Sequence, residues 1–501
     1  MDDFALANAA ETVASRLTAP EAPGAAIGIV RGTRTLFRGA FGLASIELGA
    51  KLAPETVMTV ASVTKQFTCL AMWMLAREGK IDPDGDALPG ISFQHLMRNV
   101  SGLPDLMETF ALGGGDLSLP VPRVSLLDLV KRQTARNFAP GADFNYCNTN
   151  FALLQEAAER IEGRPFADTL AARILAPARM TSARLGTRPD EIVPGLASGY
   201  LLRDGRYVRA IDAWPGGGEG GLRASLDDMI AWAKNWSTRE VGGDLLDVLA
   251  RPLPFANGAA NFYACGLQVL PWRGLATVGH GGLMPGFLTE FCRVPAEDLT
   301  VIVIANSDRF QPWLVAREIL DRAHGLDPDE AYATEVPQGD YLSADGRTTL
   351  ELLVEDGRAK ARQHGVTFPL ARDLSALRGA FAFRWDGSGV VRANGERMAY
   401  MKIARGPLPA GLDGVWRNAE LGAAYAIDGT DIRIDGPLRV GVTGALEPFG
   451  PATFRIKIEG GPFPRAFDAH LRSDGTLIVD AARSRGFIFS RTGPRGARNP
   501  G

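Results

Sequence analysis

Residues 58–79 read MTVASVTKQFTCLAMWMLAREG, and the interpretation of the chain starts from this stretch. Apolar residues recur in it at helical spacing and Gly79 ends the pattern, which predicts a helix with Ser62 near its N-terminus. One helical turn separates Ser62 from Lys65, so a hydroxyl and an amine share a face. A lysine that loses its proton can activate a serine as a nucleophile. The alternative is a helix-start serine followed by a solvated lysine, because an S-x-x-K pair arises by chance about once in a chain of this length.

A second motif lies in FAPGADFNYCNTNF, residues 138–151. Tyr146 and Asn148 stand in a predicted loop, before an amphipathic helix expected to start near Asn150. A tyrosine hydroxyl can relay a proton, and an amide can orient the lysine or the substrate. A tyrosine that only packs against its neighbours is the alternative.

A third motif is ATVGHGGLMPGFLTEFCRV, residues 276–294. We expect His280 at the end of a strand-like run, followed by Gly281 and Gly282, whose lack of side chains would let a substrate backbone approach. A histidine here would add a titration near neutral pH. A hydrogen-bonded structural histidine is the alternative.

The composition excludes several classes of function. The 501 residues are 46% hydrophobic and 22% charged, with a formal net charge of -3, as in an ordinary globular protein. No basic run would attract nucleic acid or an anionic membrane, and no apolar stretch approaches a membrane span. The N-terminus resembles neither a signal nor an anchor, so a cytoplasmic location is expected. No metal-ligand cluster is apparent, so no metal or cofactor is expected. Reduced, mostly buried thiols are predicted for Cys69, Cys147, Cys265 and Cys292.

The pattern of segments predicts three domains. Residues 1–330 mix helical and strand-like segments, which indicates an α+β body. Beyond them, short alternating strands separated by glycine turns take over. Two similar stretches, starting at Gly339 and Gly414, predict small antiparallel β domains over residues 331–410 and 411–501.

The three motifs, in this order and spacing, resemble those of the serine β-lactamase and penicillin-recognising family, the S-x-x-K serine hydrolases. Its signatures are S-x-x-K, Y-x-N and a K-T-G or H-x-G element, and the resemblance covers about residues 10–325. His280-Gly281-Gly282 departs from K-T-G and points to the esterase-like and aminopeptidase-like branches. With its two trailing β domains, the chain is most similar to the branch of bacterial D-stereospecific D-aminopeptidases.

This resemblance implies a fold and a set of roles. The fold is an antiparallel sheet flanked by helices, with a helical subdomain, followed by two small β-barrels, the last contributing a loop to the catalytic cleft. The region of that loop, residues 457–468, is shorter here, and Glu459 is its candidate for gripping a substrate ammonium. The implied roles are nucleophile for Ser62, base for Lys65, proton relay for Tyr146, orienting amide for Asn148, electrostatic partner for His280, and substrate binding for Gly281, Gly282 and Glu459.

The resemblance also implies an activity. It is the release of an N-terminal D-amino acid from small peptides or amides through an acyl-enzyme, by a homodimer that β-lactams would inhibit. The motifs leave open an esterase, a D-amino-acid amidase or a D,D-peptidase on the same scaffold. A penicillin-binding-like protein without catalysis is a more distant alternative.

Overall fold

The computed structural model of the chain describes residues 2–17, 19–116, 118–378, 381–439, 441–459 and 465–492. The chain divides into two compact units, each assembled from separate segments. The first unit consists of Met1–Ser101, Ser118–Pro120 and Asn150–Ala331, and the second of Gly102–Leu117, Val121–Thr149 and Tyr332–Gly501. The predicted domain boundaries at residues 330 and 410 stay predictions.

The described helices lie mostly in the first unit, with α4 and α5 in the second. They are α1 (Asp3–Leu17), α2 (Thr64–Arg77), α3 (Phe93–Met97), α4 (Leu106–Leu112), α5 (Arg123–Lys131), α6 (Asn148–Glu162), α7 (Phe166–Leu170), α8 (Leu226–Thr238), α9 (Leu245–Ala250) and α10 (Pro312–Ala323). A π-helical turn, Ala171–Leu175, follows α7. Among the residues that the structure describes, no helix has both the length and the apolarity needed to cross a membrane.

A six-stranded antiparallel sheet forms the centre of the first unit, in the order β12-β13-β14-β15-β1-β2. Its strands are β1 (Ala25–Arg31), β2 (Arg34–Phe41), β12 (Gln268–Trp272), β13 (Leu275–Met284), β14 (Phe287–Val294) and β15 (Leu299–Ala305). Strands β1 and β2 form a hairpin with its turn at Gly32, which has a φ of 60°, a conformation that glycine adopts without strain.

Helices cover both faces of this sheet. On one face, α1 and α10 bury residues such as Leu6 and Ile319 against β1, β14 and β15. On the other face, Gly28 of β1 faces Leu226 and Ile230 of α8, and a Cβ atom at Gly28 would stand 3.0 Å from Leu226. The strands are therefore apolar on both sides, which explains why residues 299–305 form a nearly continuous hydrophobic run. The antiparallel sheet flanked by helices confirms the predicted fold class of this part of the chain.

Shorter strands complete the first unit. A three-stranded sheet in the order β5-β11-β8 lies beside the turn that carries Ser62, and three two-stranded ribbons pair β3 with β4, β6 with β7 and β9 with β10. These strands are β3 (Leu43–Ser45), β4 (Ala50–Lys51), β5 (Met58–Thr59), β6 (Asp86–Leu88), β7 (Ile91–Ser92), β8 (Arg184–Leu185), β9 (Tyr200–Arg203), β10 (Arg206–Arg209) and β11 (Leu222–Ala224).

The second unit contains two eight-stranded antiparallel structures. The first is a sheet in the order β19-β18-β17-β16-β23-β22-β21-β20. The second is a closed barrel of β24 to β31 in sequence order, and this barrel agrees with the predicted fold class. The strands are β16 (Gly339–Ser343), β17 (Thr349–Glu355), β18 (Arg358–Gln363), β19 (Val366–Pro369), β20 (Ser375–Arg378), β21 (Phe381–Trp385), β22 (Gly389–Arg392), β23 (Arg397–Ile403), β24 (Gly414–Asn418), β25 (Ala423–Asp428), β26 (Asp431–Asp435), β27 (Val442–Pro448), β28 (Thr453–Ile458), β29 (Arg465–Leu471), β30 (Leu477–Asp480) and β31 (Phe487–Thr492).

Helix α4 packs against the closed barrel within the second unit. The buried Tyr425 hydroxyl donates a hydrogen bond of 2.7 Å to the carbonyl oxygen of Leu112, at the end of α4. Gly436 lies so close to Gly113 that a Cβ atom there would stand 1.6 Å from its carbonyl oxygen. This segment, which follows the S-x-x-K helix by some thirty residues, is therefore built onto the C-terminal barrel.

We expect the Tyr425→Phe variant to lose about 1–3 kcal/mol of unfolding free energy, because a buried carbonyl loses its donor. Urea unfolding followed by circular dichroism measures the change. Tyr207→Phe is the matched control, since the Tyr207 hydroxyl accepts an exposed 3.3 Å hydrogen bond from Arg309, whose loss should cost under about 0.5 kcal/mol. Equal stability of both variants would contradict the prediction.

Candidate active site

Ser62 lies in a strained turn immediately before α2. Residues Ala61–Val63 form a 3-10 turn that leads into the helix at Thr64. Ala61 is buried and has a φ of 49°, a left-handed conformation that non-glycine residues rarely adopt. The Thr64 hydroxyl donates a 2.6 Å hydrogen bond to the Ala61 carbonyl and holds the turn closed. The prediction that Ser62 stands at the start of a helix is confirmed, since Ser62 lies in the 3-10 turn that directly precedes α2.

The amine of Lys65 points at the Ser62 hydroxyl. Its Nζ lies 2.9 Å from Ser62 Oγ, within hydrogen-bonding distance, although Lys65 itself is completely buried. The same Nζ donates to the carbonyl oxygen of Glu219 and stands 5.1 Å from the ring centroid of Phe151 on α6. Burial disfavours the charged form of an amine, and a neutral amine is the form that can accept the serine proton.

A glycine-rich turn, residues 216–222, holds this side of α2. The Thr68 hydroxyl donates 2.7 Å to the Gly218 carbonyl, and the Leu222 amide donates 2.9 Å to Thr64 Oγ1. Together with the Lys65–Glu219 bond, these contacts attach three residues of the first two turns of α2 to the turn. The turn therefore fixes the direction of the lysine side chain.

Glu219 is a residue of the site that the sequence reasoning missed. It is buried, its backbone carbonyl accepts from Lys65, and its Oε1 accepts a 3.1 Å hydrogen bond from the Trp214 indole. In the sequence, Glu219 is the acidic residue within GGGEGG, residues 216–221. A charged residue surrounded by glycines reads as a solvated turn, so the pattern by itself does not indicate burial.

His280 lies within β13 and not at the end of a strand. The strand continues through Gly281 and Gly282 to Met284, which corrects the prediction. Nδ1 of His280 contacts the Gly281 carbonyl oxygen at 2.5 Å, and Nε2 lies 3.1 Å from the Tyr263 hydroxyl. A carbonyl oxygen can only accept, so Nδ1 carries the proton and Nε2 accepts from Tyr263. Tyr263, which lies outside the quoted motifs, is a second residue that the sequence reasoning missed.

The electrostatics of His280 also differ from the prediction. Burial, followed by the nearby positive charge of Lys65, lowers the pKa of His280 to about 3. The expected titration of His280 near neutral pH is therefore wrong. The physical reason is that the imidazolium would lose its hydration and face a second cation.

Because His280 stays neutral when folded, it makes stability depend on pH in the acid range. The unfolded chain binds a proton near pH 6.5 and the folded chain only near pH 3, so the free energy of unfolding falls as pH drops between these values, by about 1.4 kcal/mol per pH unit. We expect the His280→Gln variant to show a shallower dependence than the wild type in urea unfolding at pH 4–6.5. Parallel dependences would contradict the assignment.

Gly282 allows β13 to approach the turn that carries Ser62. A Cβ atom on Gly282 would stand 2.3 Å from the Val60 carbonyl oxygen and 3.1 Å from the Ala61 side chain. At Gly281 the nearest obstacle is the flexible end of Glu290, at 3.1 Å. Gly282 is therefore required for the packing of the strand on the turn, whereas binding of substrate by either glycine stays a prediction.

We expect the Gly282→Ala variant to lose at least tenfold in kcat/KM, because its new methyl group must displace the backbone beside Ser62. Gly281→Ala is the matched control, and its effect should be several-fold smaller because the Glu290 side chain can move aside. Steady-state kinetics of both variants on one substrate give the comparison. Equal losses would show that the approach to Val60 is not the cause.

The structure brings Ser62, Lys65 and the strand of His280 together in the first unit, and places Tyr146 and Asn148 in the second. The helix of the second motif begins at Asn148 rather than near Asn150. Both the backbone amide and the side-chain Nδ2 of Asn148 donate to Asp105 Oδ2, at 2.6 and 2.9 Å. Tyr146 is buried just before the helix, under the guanidinium of Arg483.

Glu459 lies at the end of β28 in the closed barrel. Its side chain is exposed and accepts a 3.2 Å hydrogen bond from the Thr443 hydroxyl. Residues 460–464, the centre of the predicted cleft loop, lie outside the described residues. A role for Glu459 in gripping an ammonium stays a prediction. The predicted reduced, buried thiols are confirmed, since all four cysteines lie among the described residues, are buried and form no disulfide.

Comparison with known proteins decides the family. A family model described as Beta-lactamase matches residues 9–324. The chain belongs to the β-lactamase family. The D-aminopeptidase of Brucella ovis is 32% identical over 428 residues, which cover 80% of each chain, and that of Brucella anthropi is 31% identical over 81% of each chain. Members with these names confirm the expectation of an enzyme, a serine hydrolase, and support a D-stereospecific hydrolase at the level of the family.

Solved structures of other proteins share the fold. An octameric penicillin-binding protein homologue from Pyrococcus abyssi has a TM-score of 0.57 at 18% identity and covers 98% of this chain and 100% of its own. A D-amino acid amidase from Ochrobactrum anthropi SV3, complexed with L-phenylalanine amide, has a TM-score of 0.55 at 20% identity, over 64% of this chain and 99% of its own. At these identities the likeness extends to the fold alone.

Proposed function

We propose that the protein is a D-aminopeptidase that releases the N-terminal D-amino acid of small peptides or amides through an acyl-enzyme. The observation that carries the proposal is the 2.9 Å contact between the buried Lys65 amine and the Ser62 hydroxyl. The 32% identity to D-aminopeptidases over four fifths of the chain supports this substrate class.

In the proposed acylation, Ser62 Oγ attacks the carbonyl carbon of the substrate while its proton passes to the neutral amine of Lys65. The C=O electron pair moves onto the oxygen, and the backbone N–H groups of Ser62 and of β13 stabilise this oxyanion. The tetrahedral intermediate then collapses, the C–N bond breaks, and the leaving amine takes the proton that Lys65 accepted from Ser62. Water attacks the resulting ester in the same way, releases the acid and returns the proton to Ser62.

Tyr146 is assigned to the proton relay and Asn148 to orientation by their motif. A phenol between an amine and a leaving group can pass one proton while it accepts another. In this proposal His280 acts as a neutral imidazole, because burial and the neighbouring Lys65 lower its pKa to about 3, far below neutral pH. Its contribution is the dipole of a fixed tautomer beside the catalytic lysine.

Discrimination of D-amino acids requires a group that recognises the free ammonium. Glu459 is our proposal for that group, since its carboxylate is exposed at the end of β28, beside the predicted cleft loop. If the loop leaves the cleft open, blocked or longer substrates would enter, as in an amidase or esterase.

We expect hydrolysis of D-Ala-p-nitroanilide, little hydrolysis of L-Ala-p-nitroanilide, and loss of turnover by at least a thousandfold in both Ser62→Ala and Lys65→Met. Lys80→Met is the matched control for the lysine, because the Lys80 side chain, just beyond α2, is 40% exposed and forms ion pairs with Glu78 and Glu162. Absorbance of released p-nitroaniline measures all five reactions.

Other outcomes would replace the proposal. Cleavage of p-nitrophenyl acetate without either anilide would indicate an esterase, and cleavage of D-amino acid amides without peptides an amidase. Binding of a fluorescent penicillin without covalent labelling of Ser62 would indicate a protein that kept the fold and lost catalysis. Full activity in Ser62→Ala would exclude the mechanism itself.

A further inference from the structure

The turn between β30 and β31 of the closed barrel, residues 481–486, is built into the loop that carries Tyr146. The carbonyl oxygen of Arg483 accepts hydrogen bonds from the Asp105 amide at 3.1 Å, from Asn137 Nδ2 at 2.9 Å and from Asn145 Nδ2 at 3.1 Å. Asn145 directly precedes Tyr146 in the chain. The backbone of this barrel turn therefore fixes the residue next to the tyrosine.

The neighbouring residue of the turn adds a second attachment. Ser484 is completely buried, and its hydroxyl donates a 3.1 Å hydrogen bond to the Asp105 carbonyl. It also lies 3.2 Å from the Thr109 hydroxyl of α4. The Asp105 side chain caps α4 and accepts hydrogen bonds from the backbone amide and Nδ2 of Asn148, so one residue connects the barrel turn to the Y-x-N motif.

The side chain of Arg483 stands over the Tyr146 ring. Its guanidinium carbon lies 5.7 Å from the ring centroid, and the side chain is only 16% exposed. Nε pairs with Glu108 Oε1 at 2.8 Å, and Nη2 lies 3.3 Å from Asp105 Oδ1. The two carboxylates hold the guanidinium in place over the Tyr146 ring.

We propose that Arg483 is a positioning residue for Tyr146, whose fixed positive charge stabilises the phenolate form that the proton relay passes through. The assignment rests on the proposed function for the role of Tyr146, and on the geometry for the identity of its partner. A guanidinium stays charged at every working pH, so its effect on the phenol is constant. Arg483 comes from the turn between β30 and β31, so the proposal gives the last barrel a role in the proton relay.

The charges around Tyr146 determine whether Arg483 stabilises or destabilises its phenolate form. Arg483 lies over the ring and is paired with Asp105 and Glu108. Removing the guanidinium leaves two carboxylates without this cation, and a phenolate beside them becomes less stable. The flanking Asp143 is paired with Arg392 at 2.5 Å, so this pair contributes little net charge.

The attraction between the Arg483 guanidinium and the Tyr146 phenolate also affects the pKa of Arg483. Burial opposes the charge of Arg483, but Asp105, Glu108 and, to a smaller extent, the phenolate of Tyr146 raise its pKa above the ordinary value. Coupling between two titrating groups is reciprocal, so the cation stabilises the phenolate by the same free energy.

Tyrosinate absorbance at 295 nm tests the inference without any substrate. The titration of Tyr146 is isolated as the difference between each protein and its Tyr146→Phe counterpart. In Arg483→Met we expect the Tyr146 pKa to rise by about one unit, and in Arg483→Lys by less than half of that, since the charge is kept. Arg472→Met, in the exposed turn between β29 and β30, is the matched control and should leave the titration unchanged.

The Glu108→Gln variant should shift the Tyr146 pKa in the opposite direction from Arg483→Met. Removing one carboxylate should lower the Tyr146 pKa, whereas a purely structural role of the cluster would not move it in opposite directions for the two variants. Glu108→Gln also keeps the test available if Arg483→Met does not fold. Thermal unfolding of each variant establishes that the folded protein is being titrated.

Kinetics then connect the titration to the reaction. The acid limb of the kcat/KM profile for D-Ala-p-nitroanilide should move to higher pH by about one unit in Arg483→Met, and the pH dependence of Ser62 labelling by a fluorophosphonate should move equally. A Tyr146 pKa unaltered in both Arg483→Met and Glu108→Gln overturns the inference. Labelling that shifts as expected, without cleavage of the anilide, supports the role of Arg483 and refutes only the proposed substrate.

Discussion

The burial of the Lys65 amine is the constraint on which the rest of the first unit depends. A lysine without solvent must be given acceptors by the protein, or its burial costs several kcal/mol. Here the acceptors are the Ser62 hydroxyl and the Glu219 carbonyl, with the face of Phe151 alongside. Each comes from a different segment, so the position of the amine requires the turn before α2, the glycine-rich turn and α6 to meet at one point.

Such a meeting requires backbones to approach more closely than side chains allow. Gly266 has a φ of 67°, and a Cβ atom there would stand 2.6 Å from the backbone carbonyl of Lys65. Gly282 gives the same access to the carbonyl of Val60, and Gly221 to the backbone of Gly217. The glycines around α2 therefore allow the backbone to pack closely around the turn that carries Ser62. By sequence alone, these glycines would be interpreted as parts of flexible loops.

The sequence was sufficient for the elements and motifs whose signal is local. Helical spacing placed α2, and one turn of helix was enough to predict that Ser62 and Lys65 share a face. The neutral state of His280 could not be predicted in this way, because it depends on burial beneath Tyr263 and on the charge of Lys65, which is distant in the chain. A motif identifies the residue type, and the tertiary environment sets its protonation.

The same limit applies to Glu219 and Arg483. The acid lies in a glycine run and the arginine in ARSRG, residues 482–486, and both patterns are typical of solvated turns. Arg483 becomes significant only because the closed barrel carries it to Asp105 and Glu108, more than 370 positions earlier in the sequence. A contact at that separation leaves no periodicity in the chain from which it could be inferred.

The two buried basic side chains, Lys65 and Arg483, have opposite kinds of hydrogen-bond acceptor, and the difference follows from their chemistry. Lys65 donates to a hydroxyl and to a backbone carbonyl, neutral acceptors that tolerate loss of its proton. Arg483 is instead paired with two carboxylates, which would be left uncompensated by a neutral partner. A base must change its charge during turnover, whereas a group that stabilises a phenolate must keep its charge. The acceptors around each basic side chain therefore match the role proposed for it, independently of the substrate.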